Sequence, residues 1–217
     1  MDLNLALQEV SYKIVYVGPG LSGKTTNLQQ INALTPANLR EKLKSVGTHT
    51  ERTLFFDLLP ITAGTVKGMT VRLRLYTVPG QVFYRHVRQQ VLQEVDGVVF
   101  VADSAVERLE ANQSAMLDLF TLMKEDLGRP ITPDFPLVIQ YNKRDVPTAV
   151  PIRDLDEDIN PWEFPTTQAT ASEGKGVLET LHLLQHILVP DAVGLPADPH
   201  GAVLRLPAGS RVVAKAK

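Results

Sequence analysis

The chain has 217 residues and a formal net charge of -2, with 44% hydrophobic and 21% charged residues. This composition is typical of a globular domain with a sizeable apolar core, and the near-neutral charge gives no overall positive field to attract nucleic acid or anionic lipid. Because the sequence has no cysteine, disulfides, thiolate metal sites, thiol nucleophiles, prenylation and palmitoylation are excluded.

The N-terminus carries no targeting signal that we recognise. Asp2 excludes N-myristoylation, and the first residues lack the basic region and the long apolar stretch of a secretory signal. No apolar run approaches the length of a membrane span. We therefore expect a cytoplasmic protein with no stable membrane anchor and no nucleic-acid ligand.

The first predicted strand, residues 11–17, is followed by a glycine-rich loop and a helix. The loop Gly18–Thr25 fits G-x-x-x-x-G-K-[ST] at every fixed position. Its glycines let backbone N–H groups converge on a phosphate, Lys24 supplies charge for the β- and γ-phosphates, and the Thr25 hydroxyl can ligate Mg²⁺. An ordinary glycine turn before a helix is the alternative, which the flanking strand and helix disfavour. The predicted nucleotide-binding residues here are Gly18, Gly20, Leu21, Ser22, Gly23, Lys24, Thr25 and Thr26.

The next part of the chain predicts a hairpin at one side of a sheet. Residues 36–52 form a long polar connection, a kind of loop that is usually functional or mobile. Thr53–Leu59 has the composition of a strand, and Gly64 and Gly68 lie in a predicted turn region. Val71–Tyr76 then alternates cleanly between apolar and polar residues. We therefore predict two neighbouring antiparallel strands.

Strands and helices alternate through the rest of the chain. Strands are predicted at 97–102, 137–141 and 166–169, and helices at 154–158 and 174–189, among others. This order predicts an α/β fold with a mostly parallel central sheet, one antiparallel hairpin strand and helices on both faces. We assign residues 1–189 to this domain and residues 190–217, rich in proline and glycine with a basic end, to a C-terminal tail.

Asn142-Lys143-Arg144-Asp145 fits N-K-x-D directly after a predicted buried strand. A carboxylate at Asp145 can accept hydrogen bonds from the N1–H and the exocyclic amine of guanine, and adenine offers no such pair of donors. Asn142 can brace the loops, and the aliphatic stem of Lys143 can cover the base. Alternatively, Asp145 is a turn residue before Val146-Pro147. Because this motif follows a phosphate-binding loop in the chain and stands at the end of a predicted strand, it favours guanine as the base.

Together these motifs resemble those of the Ras-like small GTPases, and most closely those of the bacterial MglA family. The resemblance spans about residues 10–189 and implies a Ras-like P-loop NTPase fold that binds GTP or GDP with Mg²⁺. The segments that carry it are Gly18–Leu28, Glu51–Asp57, Tyr76–Tyr84, Val101–Ser104 and Asn142–Asp145.

The resemblance implies roles for further residues. Thr53 falls where small GTPases complete Mg²⁺ coordination when the γ-phosphate is present, and Gly80-Gln81 falls where the glutamine positions the attacking water. Arg52 resembles the arginine that MglA-type proteins supply in cis to the γ-phosphate. With Lys24, the implied catalytic residues are Arg52 and Gln81, and the implied metal ligands are Thr25 and Thr53.

Two positions depart from the common Ras-like pattern. Thr170-Ala171-Ser172 falls where a Ser-Ala-Lys turn covers guanine O6, and Ser172 departs from the usual lysine. We predict that the Ala171 N–H still reads that oxygen, and we count Ala171 and Ser172 among the nucleotide-binding residues. Thr77 replaces the aspartate that usually supports Mg²⁺ through water. Because that carboxylate is missing, we expect Lys24 and Thr25 to carry more of the contact with Mg²⁺ and phosphate.

The resemblance further implies a GTP-hydrolysing switch in cell polarity or motility. The implied partners are polarity or motility effectors and an activating roadblock-type homodimer similar to MglB. Two alternatives remain at this point: a GTP-loaded scaffold with negligible hydrolysis, and a P-loop ATPase or kinase.

Overall fold

Eight strands form one sheet in the computed structural model, which describes residues 1–46, 56–78 and 85–192. The strands are β1 (Asp2–Asn4), β2 (Glu9–Val17), β3 (Lys44–Val46), β4 (Phe56–Val66), β5 (Met69–Thr77), β6 (Gly97–Asp103), β7 (Leu137–Asn142) and β8 (Thr166–Gln168). The α-helices in these ranges are α1 (Lys24–Leu34), α2 (Arg85–Leu92), α3 (Leu109–Thr121), α4 (Ile152–Ile159) and α5 (Val177–Leu188).

The sheet has the order β3-β4-β5-β2-β6-β7-β8, and β1 pairs with β2. Strands β5, β2, β6, β7 and β8 run parallel, and β4 runs antiparallel to β5. The predicted α/β fold with its antiparallel hairpin is therefore confirmed. The short antiparallel strands β1 and β3 were not predicted, and β3 lies inside the connection that we had treated as a loop.

The hairpin between β4 and β5 is longer than predicted. Strand β4 continues through Gly64, where the φ angle is 94° and the pairing register shifts between Thr62 and Thr65. Lys67 and Gly68 form the turn, with φ angles of 49° and 79°, as a two-residue hairpin loop requires. Placing Gly64 in the turn was wrong, because this glycine lies at the register shift inside strand β4, where its positive φ is needed.

Apolar side chains fill both faces of the sheet. One cluster lies between the sheet and α2, α3 and α4, and the other lies between the sheet and α1 and α5. Every residue of β6 and β7 is buried, as expected of central parallel strands covered on both sides. Trp162 stacks on Phe120 of α3 with ring centroids 4.3 Å apart.

The parallel topology sets the position of the functional site. Strands β2, β5, β6 and β7 all end at one edge of the sheet, where α/β proteins bind their ligands. Helix α5 packs with α1 against one face of the sheet. The described residues end at Ala192, so most of the predicted tail lies outside them. Within the described ranges, no helix combines the length and apolar character needed to cross a bilayer.

Candidate nucleotide-binding site

The loop between β2 and α1 has the backbone of a phosphate cradle. Gly18, Leu21 and Gly23 adopt positive φ angles of 137°, 66° and 102°, and such turns direct successive N–H groups to one side. A Cβ atom at Gly18 would lie 2.2 Å from the Val101 carbonyl oxygen, and one at Gly23 would lie 2.3 Å from Asn142 Nδ2. These two glycines are therefore required by close approach as well as by conformation.

Lys24 lies inside this cradle. Its Nζ donates to the carbonyl oxygens of Gly18 at 3.0 Å and Pro19 at 2.6 Å. Burial first, and then the nearby charges of Arg108 and Arg88, lower the pKa of Lys24 to about 8. A cation held by neutral carbonyl groups among other cations is well placed to gain from an arriving phosphate.

Asn142 connects the phosphate-binding loop with the loop after β8. Its Nδ2 donates to the Ser22 carbonyl oxygen at 2.8 Å, and its Oδ1 accepts a hydrogen bond from the Ala171 N–H at 2.9 Å. The Ala171 N–H that we expected to read guanine O6 is thus directed at Asn142 in this structure. The Ser172 carbonyl oxygen accepts a hydrogen bond from Gln30 of α1 at 3.2 Å, which fixes the same loop from the other side.

The remaining residues of the N-K-x-D motif differ in their surroundings. Lys143 has a positive φ of 63°, and its Nζ donates to Asp103 Oδ2 at 2.6 Å. Asp145 is exposed, and it accepts no hydrogen bond from any residue that the structure describes. Its carboxylate is therefore open to donors from a base, while the ammonium of Lys143 is held at the end of β6.

Sequence reasoning missed Asp57, a carboxylate on β4 that is only 8% exposed. Its Oδ2 accepts hydrogen bonds from the hydroxyls of Thr25 at 2.8 Å and Thr77 at 3.0 Å, and its Oδ1 accepts one from Ser45 at 2.7 Å. The Asp57 N–H also donates to Thr77 Oγ1 at 2.9 Å. Thr77 does replace the usual aspartate, but the neighbouring strand β4 brings the carboxylate of Asp57 beside it. The available signal was an acidic residue inside an apolar strand.

The donors around Asp57 suit a magnesium ion. Mg²⁺ prefers oxygen ligands and needs only one or two protein groups when a substrate phosphate and waters complete its shell. Thr25 and Asp57 offer a hydroxyl and a carboxylate side by side, and no described lysine or arginine forms an ion pair with Asp57. In the same part of the chain, no group of three or more His, Cys, Asp or Glu residues forms an all-protein metal site.

A buried amide network anchors the first turn of α1. Asn27 and Gln140 exchange two hydrogen bonds at 2.8 and 2.9 Å, and Gln140 also donates to Thr180 of α5 at 2.8 Å. Asn27 Nδ2 reaches back to the Gly23 carbonyl oxygen at 3.0 Å. All three side chains are fully buried. These side chains fix the phosphate-binding loop relative to β7. Nothing in the sequence alone indicated this role.

The structure brings most of the predicted site residues together at one edge of the sheet. Those that it places there are Gly18, Gly20, Leu21, Ser22, Gly23, Lys24, Thr25, Thr26, Asn142, Lys143, Asp145, Ala171 and Ser172. The Leu21 side chain is 89% exposed, so this residue can contribute only its backbone to a ligand in the cradle. Arg52, Thr53, Gly80 and Gln81 lie outside the described residues.

Comparisons with known proteins agree with this geometry. The model of the ADP-ribosylation factor family matches residues 2–187. The mutual gliding-motility protein MglA of Myxococcus xanthus is 46% identical over 192 residues, which cover 87% of this chain and 96% of that protein. The human ADP-ribosylation factor-like proteins 4C and 4A are 27% and 29% identical, over 82% and 79% of this chain and 88% and 82% of their own lengths.

Proposed function

The chain belongs to the ADP-ribosylation factor family of Ras-like small GTPases, and on that premise we propose that it is a nucleotide-dependent switch in cell polarity or motility. As a member of this family it binds GTP and hydrolyses it to GDP and phosphate. The observation that carries the polarity role is the 46% identity to a gliding-motility protein over almost that protein's whole length.

For the guanine base, we assign recognition to the N-K-x-D loop. Asp145 accepts from the two guanine donors, Lys143 covers the base with its aliphatic stem, and Ala171 and Ser172 flank the base edge. Asn142 acts by holding the loops, through its contacts with Ser22 and Ala171. The phosphates lie in the Gly18–Thr26 cradle, with Lys24 as the charge on the β- and γ-phosphates.

For Mg²⁺, the ligands are Thr25 and, in the GTP state, Thr53, with Asp57 as the supporting carboxylate. When bound, the ion neutralises charge on the β- and γ-phosphate oxygens. Asp57 performs the task that an aspartate at position 77 performs in most Ras-like proteins, since its carboxylate lies beside the Thr25 and Thr77 hydroxyls.

For hydrolysis, Gln81 orients the attacking water and Arg52 stabilises charge that develops on the γ-phosphate. An amide suits this role because it both donates and accepts hydrogen bonds. We expect an MglB-like roadblock homodimer to promote turnover and motility effectors to recognise the GTP state. We place this cycle in the cytoplasm, where GTP is available.

Phosphate release from GTP tests this proposal. Turnover should be slow for the chain alone, rise with a roadblock homodimer, and fall at least tenfold in Gln81→Leu and Arg52→Ala. Negligible turnover under both conditions, together with an unaltered Gln81→Leu variant, would support a scaffold instead. Competition with labelled GDP checks the base: ATP binding as tightly as GTP would contradict the guanine assignment.

A further inference from the structure

Asp103 is a buried carboxylate that the GTPase cycle described above does not use. It ends β6 inside the Val101–Ser104 segment, and its side chain is 2% exposed. Its backbone is clamped by Asn112 of α3, which accepts from the Asp103 N–H at 3.0 Å and donates to its carbonyl oxygen at 2.8 Å. The carboxylate is therefore held in one place between the two nucleotide-binding loops.

Two cations from different directions approach this carboxylate. Lys143, from the guanine-binding loop, donates to Asp103 Oδ2 at 2.6 Å. Arg108, immediately before α3, has its Nε 3.7 Å from the same oxygen. A buried carboxylate needs such partners, because burying an unpaired charge costs several kcal/mol. Asp103 therefore fixes the position of both side chains.

Arg108 extends this contact to the phosphate-binding loop. Its Nη2 donates to the Gly20 carbonyl oxygen at 2.6 Å. In a trans peptide the C=O and the next N–H point in opposite directions, so holding the Gly20 carbonyl on Arg108 directs the Leu21 N–H away from Arg108. One guanidinium thus sets the orientation of a peptide unit in the cradle.

We propose that Asp103 and Arg108 are positioning residues that hold the guanine-binding loop and the phosphate-binding loop in one fixed arrangement and thereby set the lifetime of the bound nucleotide. The connection runs from Lys143 through Asp103 and Arg108 to Gly20. This proposal rests on the guanine site proposed above. Neither residue acts on the γ-phosphate in it, so GDP and GTP should be affected alike.

The test measures release of GDP labelled with a fluorescent methylanthraniloyl group, chased by excess unlabelled GDP. Arg108→Met keeps the length of the side chain and removes its donors, and it should release GDP about tenfold faster, as expected for the loss of a charge-assisted hydrogen bond. Arg108→Lys keeps one charged donor and should recover part of the lifetime. Arg153→Met is the matched control, because Arg153 is 85% exposed on α4 and its only ion pair with a described residue is with Glu157, one helical turn away.

A double-mutant cycle tests the link between the two residues. Asp103→Asn should also release GDP about tenfold faster, and Asp103→Asn/Arg108→Met should fall at least threefold short of the product of the single effects, since both break one connection. Circular dichroism checks folding. If Asp103→Asn does not fold, the Arg108 variants still decide the question, because Arg108 is partly exposed.

Three results would overturn the proposal. The first is a GDP release rate in Arg108→Met within twofold of that of the parent protein, and the second is a release rate in Arg108→Lys no slower than in Arg108→Met. The third is a double variant whose increase in release rate equals the product of the increases in the two single variants. The first two would leave Arg108 with a packing role only. Failure of the unmodified chain to retain labelled GDP would instead overturn the guanine site and this proposal with it. The two failures are therefore distinguishable in one experiment.

Discussion

Replacing Asp57 with asparagine is expected to weaken Mg²⁺ binding while leaving the fold intact. The substitution keeps the size of the side chain and removes its charge. In the parent protein that carboxylate accepts hydrogen bonds from the hydroxyls of Thr25, Ser45 and Thr77. Removing a group that supports a metal ligand typically weakens metal binding 10- to 100-fold, which is about 1.4 to 2.7 kcal/mol. We expect a loss in this range.

The position of Thr77 allows the charge to be moved back. Its Oγ1 lies 3.0 Å from Asp57 Oδ2, so Thr77→Asp places a new carboxylate at nearly the same point. In the Asp57→Asn background it should restore most of the lost Mg²⁺ affinity. Alone, Thr77→Asp should destabilise the metal-free protein by up to about 4 kcal/mol, since two like charges about 4 Å apart repel by that amount at an effective dielectric constant near 20.

The assay is the release rate of labelled GDP as a function of free Mg²⁺ concentration. The midpoint should move to higher Mg²⁺ in Asp57→Asn and return toward the parent value in Asp57→Asn/Thr77→Asp. Asp158→Asn, on the exposed side of α4, controls for the loss of one negative charge. An Asp57→Asn midpoint within twofold of the parent protein, or a double variant no better than the single one, would refute the assignment of Asp57.

Three further outcomes follow from the site. Asp145→Asn should weaken GTP binding at least about 100-fold, since two hydrogen bonds to a charge are lost, and should favour xanthine nucleotides in a competition assay. The Lys24 pKa of about 8 should rise when a phosphate pairs with its ammonium, so nucleotide binding above that pKa takes up a proton. The affinity for nucleotide, measured by fluorescence titration, should therefore be highest below this pKa and fall up to tenfold per pH unit above it. Lys24→Arg should show no such slope between about pH 7 and 9. Gly23→Ala should abolish retention of labelled GDP, because its Cβ would lie 2.3 Å from Asn142 Nδ2 at a φ of 102°; retention at the parent level would contradict this steric argument.

The phosphate-binding loop and the central strands could be predicted because their signals are local. Glycines at fixed spacing are dictated by the turn itself, as the close approach of Gly18 to Val101 illustrates. Continuous apolar runs likewise indicate strands covered on both faces, which β6 and β7 are. The order of these signals along the chain was enough to give the α/β topology.

An acidic residue inside an apolar strand marks Asp57 as unusual, but its role could not be predicted because that role depends on strand register. A sequence motif places the supporting carboxylate at a fixed position along the chain, here position 77. The pairing of β4 with β5 brings residues 57 and 77 side by side, so either strand can supply the charge at the same point in space. The three-residue strands β1 and β3 escaped prediction for a related reason: such short pairings depend on what lies beside them.

The two buried carboxylates of the site differ in what surrounds them, and this difference decides what each can do. Asp103 lies against the cations Lys143 and Arg108, which compensate its charge and leave none to offer an ion. Asp57 is contacted by three hydroxyls, which satisfy its oxygen atoms without cancelling its charge. A neutral hydrogen-bonding environment orients a carboxylate and keeps it attractive to a divalent cation, whereas a cationic environment makes it a structural connection. The same residue type is therefore suited to support a metal ion on β4, beside the end of β5, and to join the loops at the end of β6, as we propose.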